Sequence, residues 1–189
     1  MQNKVRVDIA LVHYPVYNKK GSVIASAVTN LDLHDLARLA KTYDLGAFHV
    51  ITPVKEQQAF IERILDHWLF GWGGVYNRDR VDALNLIRVS GSIEQARESI
   101  QAGTGKEPVV LATGARERGP ALGIEEARRL LAGDRPLLLI FGTAWGLAGE
   151  VIEQADYVLK PVQKCATYNH LSVRSAAAII VDRFLGDRG

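Results

Sequence analysis

The chain has 189 residues, 48% of them hydrophobic and 23% charged, which fits a globular core of ordinary size and predicts one domain over 1–189. A net charge of +2 does not demand a nucleic-acid partner, so where the charges lie matters more than their sum. One cysteine, Cys165, excludes an internal disulfide and a cysteine-built metal site, and the histidines show no HxxxH or HExxH spacing, so no metal is expected.

Apolar β-branched runs alternate with helical periods along the whole length. "VRVDIALV" (5–12) predicts a first strand, and "SVIASAV" (22–28) a second strand or an extended approach to a helix. "LDLHDLARLAKTYDLG" predicts a helix, because Leu36, Leu39, Ala40 and Tyr43 fall at i, i+3, i+4 and i+7; Asn30 is the expected N-cap and Gly46 the stop. "AFHVIT" (47–52) is the next strand, and "KEQQAFIERILDHWLF" a long amphipathic helix. "GWGGVYNRDR" (71–80) is the most irregular stretch; its "GWGG" (71–74) offers a tryptophan face on which a base could stack, but reads in preference as a loop whose glycines allow a tight path, and a short helix near 79–86 then leads into the strand "LIRVS". After the helix "SIEQARESIQAG" come three strand–helix units: "PVVLAT" with "IEEARRLLAG", "PLLLIFG" with "LAGEVIEQA", and "YVLKP" with "LSVRSAAAIIVDRFLG". This alternation predicts an α/β fold with a mostly parallel sheet and helices on both faces, and the continuously apolar strands agree with a sheet covered on both sides. No apolar run reaches the ~18 residues of a membrane span. The N-terminal segment lacks the small-residue cleavage site of a signal peptide, so a cytoplasmic location is expected.

Ligands of such sheets bind at the carboxyl ends of the strands. Three loops there are unusual: "TGARERGPALG" (113–123), "GTAWGL" (142–147) and "KPVQKCATYNHLS" (160–172). In the second, Gly142 would let a ligand approach the backbone, Gly146 would open the next helix with free N–H groups, and Trp145 would cover a ligand face or close the turn as a lid. In the third, Tyr168, Asn169, His170 and Ser172 precede a largely apolar helix; one of Asn169 and Ser172 suffices as its cap, which leaves Tyr168 and His170 without a structural task.

Two decoys are dismissed. "GTGKEP" (103–108) has Ile100 and Glu107 where a P-loop needs Gly and Ser/Thr, and it follows a helix, so it reads as a helix cap and turn. The glycines at 142, 146 and 149 do not space as GxGxxG. In "NLDLHDLAR" (30–38), Asp32, Asp35 and Arg38 step by three along the predicted helix; the plain reading is an exposed i,i+3 pair of Asp35 with Arg38.

With those residues in view, the chain resembles the SPOUT superfamily of S-adenosylmethionine (SAM)-dependent RNA methyltransferases, and within it a small bacterial family of SAM-dependent RNA methyltransferases. The pieces that carry the likeness are "HYPVYNKKG" (13–21), "TNLDLHDLARLAKTY" (29–43), "TPVKEQQ" (52–58), "HW" (67–68), "FGTAWGL" (141–147) and "YNHLSVRSAAAIIVDR" (168–183). The resemblance implies a C-terminal trefoil knot and SAM bound by the three loops. Thr113, Gly114 and Ala115 would line one wall, and Phe141, Gly142, Thr143 and Gly146 the floor. Leu159, Pro161, Tyr168, Asn169, Leu171 and Ser172 would close over the adenosine. It also implies a homodimer acting on an RNA substrate, tRNA or rRNA, with Arg38 orienting the RNA or activating the acceptor. Asp32, Asp35 and His170 are candidates for deprotonating the acceptor, and Arg116, Arg118, Lys160, Lys164 and Arg174 for holding phosphates. A cofactor-binding RNA module without catalysis and a non-RNA nucleotide-binding α/β enzyme remain open alternatives.

Overall fold

A computed structural model describes residues 5–115, 120–163, 165 and 167–187. In chain order its strands are β1 (Val7–Val12), the two-residue β2 (Val16–Tyr17) and β3 (Val23–Ile24), β4 (Phe48–Ile51), β5 (Ile87–Ser90), β6 (Val109–Ala112), β7 (Leu137–Gly142) and β8 (Tyr157–Val158). The helices are α1 (Asn30–Thr42), α2 (Lys55–Leu69), α3 (Trp72–Tyr76), α4 (Arg78–Leu84), α5 (Ile93–Thr104), α6 (Ile124–Arg128), α7 (Gly149–Glu153) and α8 (Val173–Leu185). Six of the strands make one sheet in the order β5–β4–β1–β7–β6–β8, every pairing parallel. β1 is central: Leu11 lies beside Val50 of β4 and Phe141 of β7.

The expected two-sided burial is present. Every residue of β1, β4 and β6 is buried. Side chains alternate across a strand, so Ile9 and Leu11 face Leu33, Leu36 and Ala37 of α1 and Ile180, Val181 and Phe184 of α8. Ala10 and Val12 face the opposite layer, with Ala96 and Ile100 of α5 and Val151 of α7.

Several local expectations are corrected. Of 22–28 only Val23–Ile24 is strand, paired antiparallel with β2 outside the main sheet. The α1 cap is Thr29, not Asn30: Thr29 Oγ1 accepts from the Asp32 N–H at 3.2 Å, the side-chain geometry favoured at an N-cap. Gly46 does not stop that helix; a Cβ there would stand 2.3 Å from Asp8 Oδ1, so the glycine makes room for a buried ion pair. The stretch 71–80 is not a loop: Trp72–Tyr76 forms α3 and, after an extended Asn77, α4 begins at Arg78. A Cβ on Gly71 would meet the His67 carbonyl oxygen at 2.6 Å and one on Gly74 the Trp68 carbonyl oxygen at 2.7 Å, so these glycines let α3 fold tightly onto the end of α2. The P-loop decoy is the cap and turn that its sequence predicts, with Gly105 left-handed at φ 74° after α5.

Candidate active site

Because β7, β6 and β8 are adjacent and parallel, the three flagged loops leave the sheet at the same end. The first and third are tied to each other, and the second is held beside them through β7. The Thr113 N–H and hydroxyl both donate to the Ile140 carbonyl at 3.0 Å, joining the end of β6 to β7. The Leu159 N–H donates to Ala112 O at 2.8 Å, and the Lys160 N–H to Leu122 O at 2.9 Å. The Asn169 side-chain amide donates to Ala115 O at 2.5 Å, linking the first loop to the third across 54 positions of sequence. Asn169 is therefore a cross-loop clamp, and the α8 cap is Ser172, whose Oγ accepts from the Ser175 N–H at 3.2 Å.

Within this end, side chains divide into two groups. Phe141, Leu159 and Thr113 are buried, so they offer a ligand backbone atoms only. Gly114, Ala115, Tyr168 and Leu171 are exposed, and Gly142, Thr143, Gly146, Pro161 and Asn169 are half-buried. Trp145, Tyr168 and Leu171 leave 58%, 65% and 46% of their surface uncovered, so Trp145 is not a packed lid.

The turn 142–147 differs in detail from its sequence reading. Gly146 does not begin a helix, since α7 starts at Gly149. Its N–H is not free either: it donates to Thr143 O at 2.9 Å, while its carbonyl accepts from the Tyr17 N–H at 2.9 Å. The residue is glycine because φ is +99°, a value L side chains avoid. Gly142 is required by the turn itself, for a Cβ would lie 2.6 Å from the Leu147 nitrogen. Beneath the turn runs a polar chain that the sequence did not reveal. Thr143 Oγ1 lies 2.5 Å from Ser26 Oγ, which is 3.0 Å from His13 Nδ1. His13 is fully buried, its Nε2 has no partner among the described residues, and burial, outweighing the nearby Asp32 charge, pushes its pKa down to about 4. The chain is thus neutral at pH 7 and brings no positive charge to this end of the sheet.

The acidic steps on α1 have found partners other than the expected one. Asp32 is buried and accepts from Thr29 Oγ1 at 2.6 Å and from Arg174 of α8 at 2.9 Å. Asp35 pairs with Arg174 Nε at 3.3 Å, not with Arg38. Arg174 is accordingly a clamp between helices, not a spare cation for RNA. Arg38 is exposed, and its side chain has no hydrogen bond or ion pair among the described residues. It borders a groove of about 470 Å³ between α1 and α8, whose other end reaches Ser172 at the third loop. His170 lies edge-to-face on Tyr168, with ring centres 5.3 Å apart. Arg116, Arg118 and Lys164 lie outside the described residues. Among the described residues, no group of three or more His, Cys, Asp and Glu is placed to hold a metal ion, and no helix is long and apolar enough to cross a membrane.

The amino end of the sheet carries a second buried ionic cluster. Asp8 accepts from Arg6 Nε and Nη2, both at 2.8 Å, and lies 3.1 Å from His49 Nε2. Burial drives the Asp8 carboxyl up, but the bonds from His49 and Arg6 outweigh it and hold it below its usual value. It lies at the end away from the three loops, and its task is structural.

Similarity decides the family. The model of a family described as SAM-dependent RNA methyltransferase matches residues 6–186. The chain belongs to this family. It is 48% identical over 178 residues to a tRNA (guanine-N(1)-)-methyltransferase of Oleidesulfovibrio alaskensis, covering 94% of this chain but 41% of that protein. The chain thus spans less than half the length of that relative. An uncharacterized protein of Aquifex aeolicus is 34% identical over 178 residues, with 94% and 87% of the two chains covered. Among solved structures, the SpoU methyltransferase AviRb of Streptomyces viridochromogenes, in complex with AdoMet, superposes with a TM-score of 0.58 at 14% identity, over 98% of this chain and 61% of that one. The fold is that of the SPOUT methyltransferases, and SAM is the family's cofactor. The loop end suits such a ligand. It has exposed aromatic and aliphatic faces for a purine and an aliphatic chain, small residues that admit close approach, and a neutral polar chain beneath.

Proposed function

We propose that this chain, as one methyltransferase unit over 1–189, binds SAM in the loops after β6, β7 and β8 and methylates a tRNA nucleotide. The observation that carries the site is the convergence of three loops at one sheet end: Asn169 to Ala115 and Lys160 to Leu122 tie the first loop to the third, and the β6–β7 pairing, closed by Thr113 on Ile140, sets the second beside them. In this reading Gly114, Ala115, Gly142, Thr143 and Gly146 leave small-residue space for the cofactor to lie close to the chain, and Tyr168 and Leu171 cover its adenosine. When bound, SAM supplies an electrophilic methyl group on a sulfonium. The neutral His13–Ser26–Thr143 chain avoids setting a cation against that sulfonium. Arg38, unpaired and at the mouth of the groove leading to Ser172, orients the RNA so that its acceptor lies in line with the transferred methyl group.

Asp32 is a poor general base here, because Thr29 and Arg174 already use its lone pairs. Asp35 is more open but also faces Arg174. The guanine-N1 activity named for the Oleidesulfovibrio alaskensis protein belongs to a chain more than twice as long, so tRNA is carried over as substrate class and the guanine atom is not. A C-terminal knot is supported by the chain path: after the edge strand β8 it doubles back to pack α8 against α6, α1 and β7. A homodimer is supported by exposed Leu31, Trp145, Tyr168 and Leu171 around the loop end. Work on tRNA would place the protein in the cytoplasm.

The test is methyl transfer from radiolabelled SAM to unmodified total tRNA, run beside calorimetry with SAM alone. Labelled RNA with measurable SAM binding is the expected result. SAM binding without label would favour a non-catalytic RNA module, and no heat at high micromolar SAM would overturn the reading.

A further inference from the structure

A second and larger groove, about 750 Å³, runs along the other flank of α1, where α1 meets α2 and α4. Arg38, Arg63 and Arg80 all line it, with Trp68, Phe60 and His34. Among the described residues no carboxylate pairs with any of the three arginines. The one carboxylate lining the groove, Asp35, lies 3.3 Å from Arg174, which it shares with Asp32. Three guanidinium groups around one concavity therefore face a single shared carboxylate, an excess of positive charge whose repulsion folding alone does not relieve.

Arg80 is held for a purpose other than pairing. Its guanidinium carbon lies 5.2 Å from the centre of the Trp68 ring, and Nη1 is 3.4 Å from His34 Nδ1. Its Nε is buried without a partner. Burial, then the charge of Arg80, depresses the pKa of His34, so His34 meets the arginine as a neutral acceptor and leaves its charge intact. His34 in turn sits edge-to-face on Trp68, ring centres 5.4 Å apart, which fixes the indole as one wall.

We propose that this groove is an RNA-binding site in which Arg38, Arg63 and Arg80 hold a backbone phosphate, with the flanking nucleotide against Trp68. Guanidinium forks match phosphate oxygens bidentately, and an aromatic wall beside them suits a nucleobase or ribose. Arg38 borders both grooves, so one residue joins bound RNA to the passage that ends at Ser172. The proposal rests on the RNA-methylation reading above and gives it a docking surface that the sequence did not single out.

The test is filter binding of an unmodified tRNA transcript over a salt series, with the intact protein. Arg63 is exposed on α2, so its substitution spares the fold. Arg63→Glu is expected to weaken tRNA binding about tenfold or more, and Arg63→Ala to lower the slope of log affinity against log salt by about one. Arg63→Lys should retain most of the affinity. The control, Arg129→Glu, alters an exposed arginine in the turn after α6 and should change little. Unchanged tRNA affinity in Arg63→Glu, with native circular dichroism, would overturn the proposal, and so would an equal loss in Arg129→Glu. Calorimetry with SAM separates the two claims: intact SAM binding with unaltered tRNA affinity sinks the groove alone, whereas absent SAM binding in the wild type sinks the methyl-transfer reading. Inorganic phosphate that competes as well as tRNA does would mark a small-anion site and overturn the RNA assignment.

Discussion

The two flanks of α1 treat charge in opposite ways. Toward α8, Arg174 is matched by Asp32 and Asp35, and Asp32 is further held by Thr29. Toward α2, Arg38, Arg63 and Arg80 meet a tryptophan, a neutral histidine and one carboxylate, Asp35, which is bonded to Arg174 instead. The same helix thus carries a closed ionic circuit on one side and an open one on the other. A closed circuit fixes architecture, here the seating of α8 under the third loop. An open circuit awaits a charge from outside the fold.

Breaking the closed side is expected to cost stability first. Asp32→Ala leaves Arg174 without its nearer partner and should lower unfolding free energy by about 3 kcal/mol in a denaturant titration, the low end for a broken buried pair because Arg174 is partly open to water. A loss below about 0.5 kcal/mol would mean that the circuit is decorative.

The next effect is a pH dependence behind that circuit. His13 stays neutral in the folded protein down to about pH 4, whereas an unfolded chain protonates it near 6.5. Between those values unfolding takes up a proton. This contribution is therefore full above pH 6.5 and falls by roughly 2–3 kcal/mol on going down to pH 4. The difference between the wild-type and His13→Gln stability profiles across this range reads it directly; parallel profiles would contradict a buried neutral imidazole.

Arg174→Lys sharpens the comparison more gently. A lysine cannot reach both carboxylates with a planar fork, and about 1 kcal/mol of stability should be lost. On the open side the expectation reverses. Arg38→Ala should leave stability within about 0.5 kcal/mol, as for a surface change away from packing. It should nevertheless reduce methyl transfer on the order of 100-fold, with SAM affinity unchanged in calorimetry. A large loss of SAM affinity would show that the residue serves the cofactor instead.

Much of this was legible in the sequence, for identifiable reasons. Strands such as "PLLLIFG" announce themselves because a sheet covered on both faces needs uninterrupted apolar residues. The three loops were legible because their small and polar residues interrupt that pattern at strand ends. Partnerships between distant residues were not. Asp35 pairing with Arg174 instead of Arg38 depends on how α8 lies against α1, and no spacing rule carries that. Why 142 and 146 must be glycine was not legible for a related reason. A glycine reports that space or φ is restricted, but not whether the neighbour is a ligand or, as here, the chain's own turn. His13, adjacent in sequence to nothing it bonds, became visible only once β1, Ser26 and Thr143 were brought together.

The central claim is that SAM occupies the loop end of the sheet. Titrating SAM into the 15N-labelled protein and following backbone amide shifts tests it most directly. The predicted result is saturable shifts at Gly114, Ala115, Gly142, Gly146 and the segment 168–172. Shifts confined to the opposite end around Asp8 and His49, or none anywhere at saturating SAM, would contradict it.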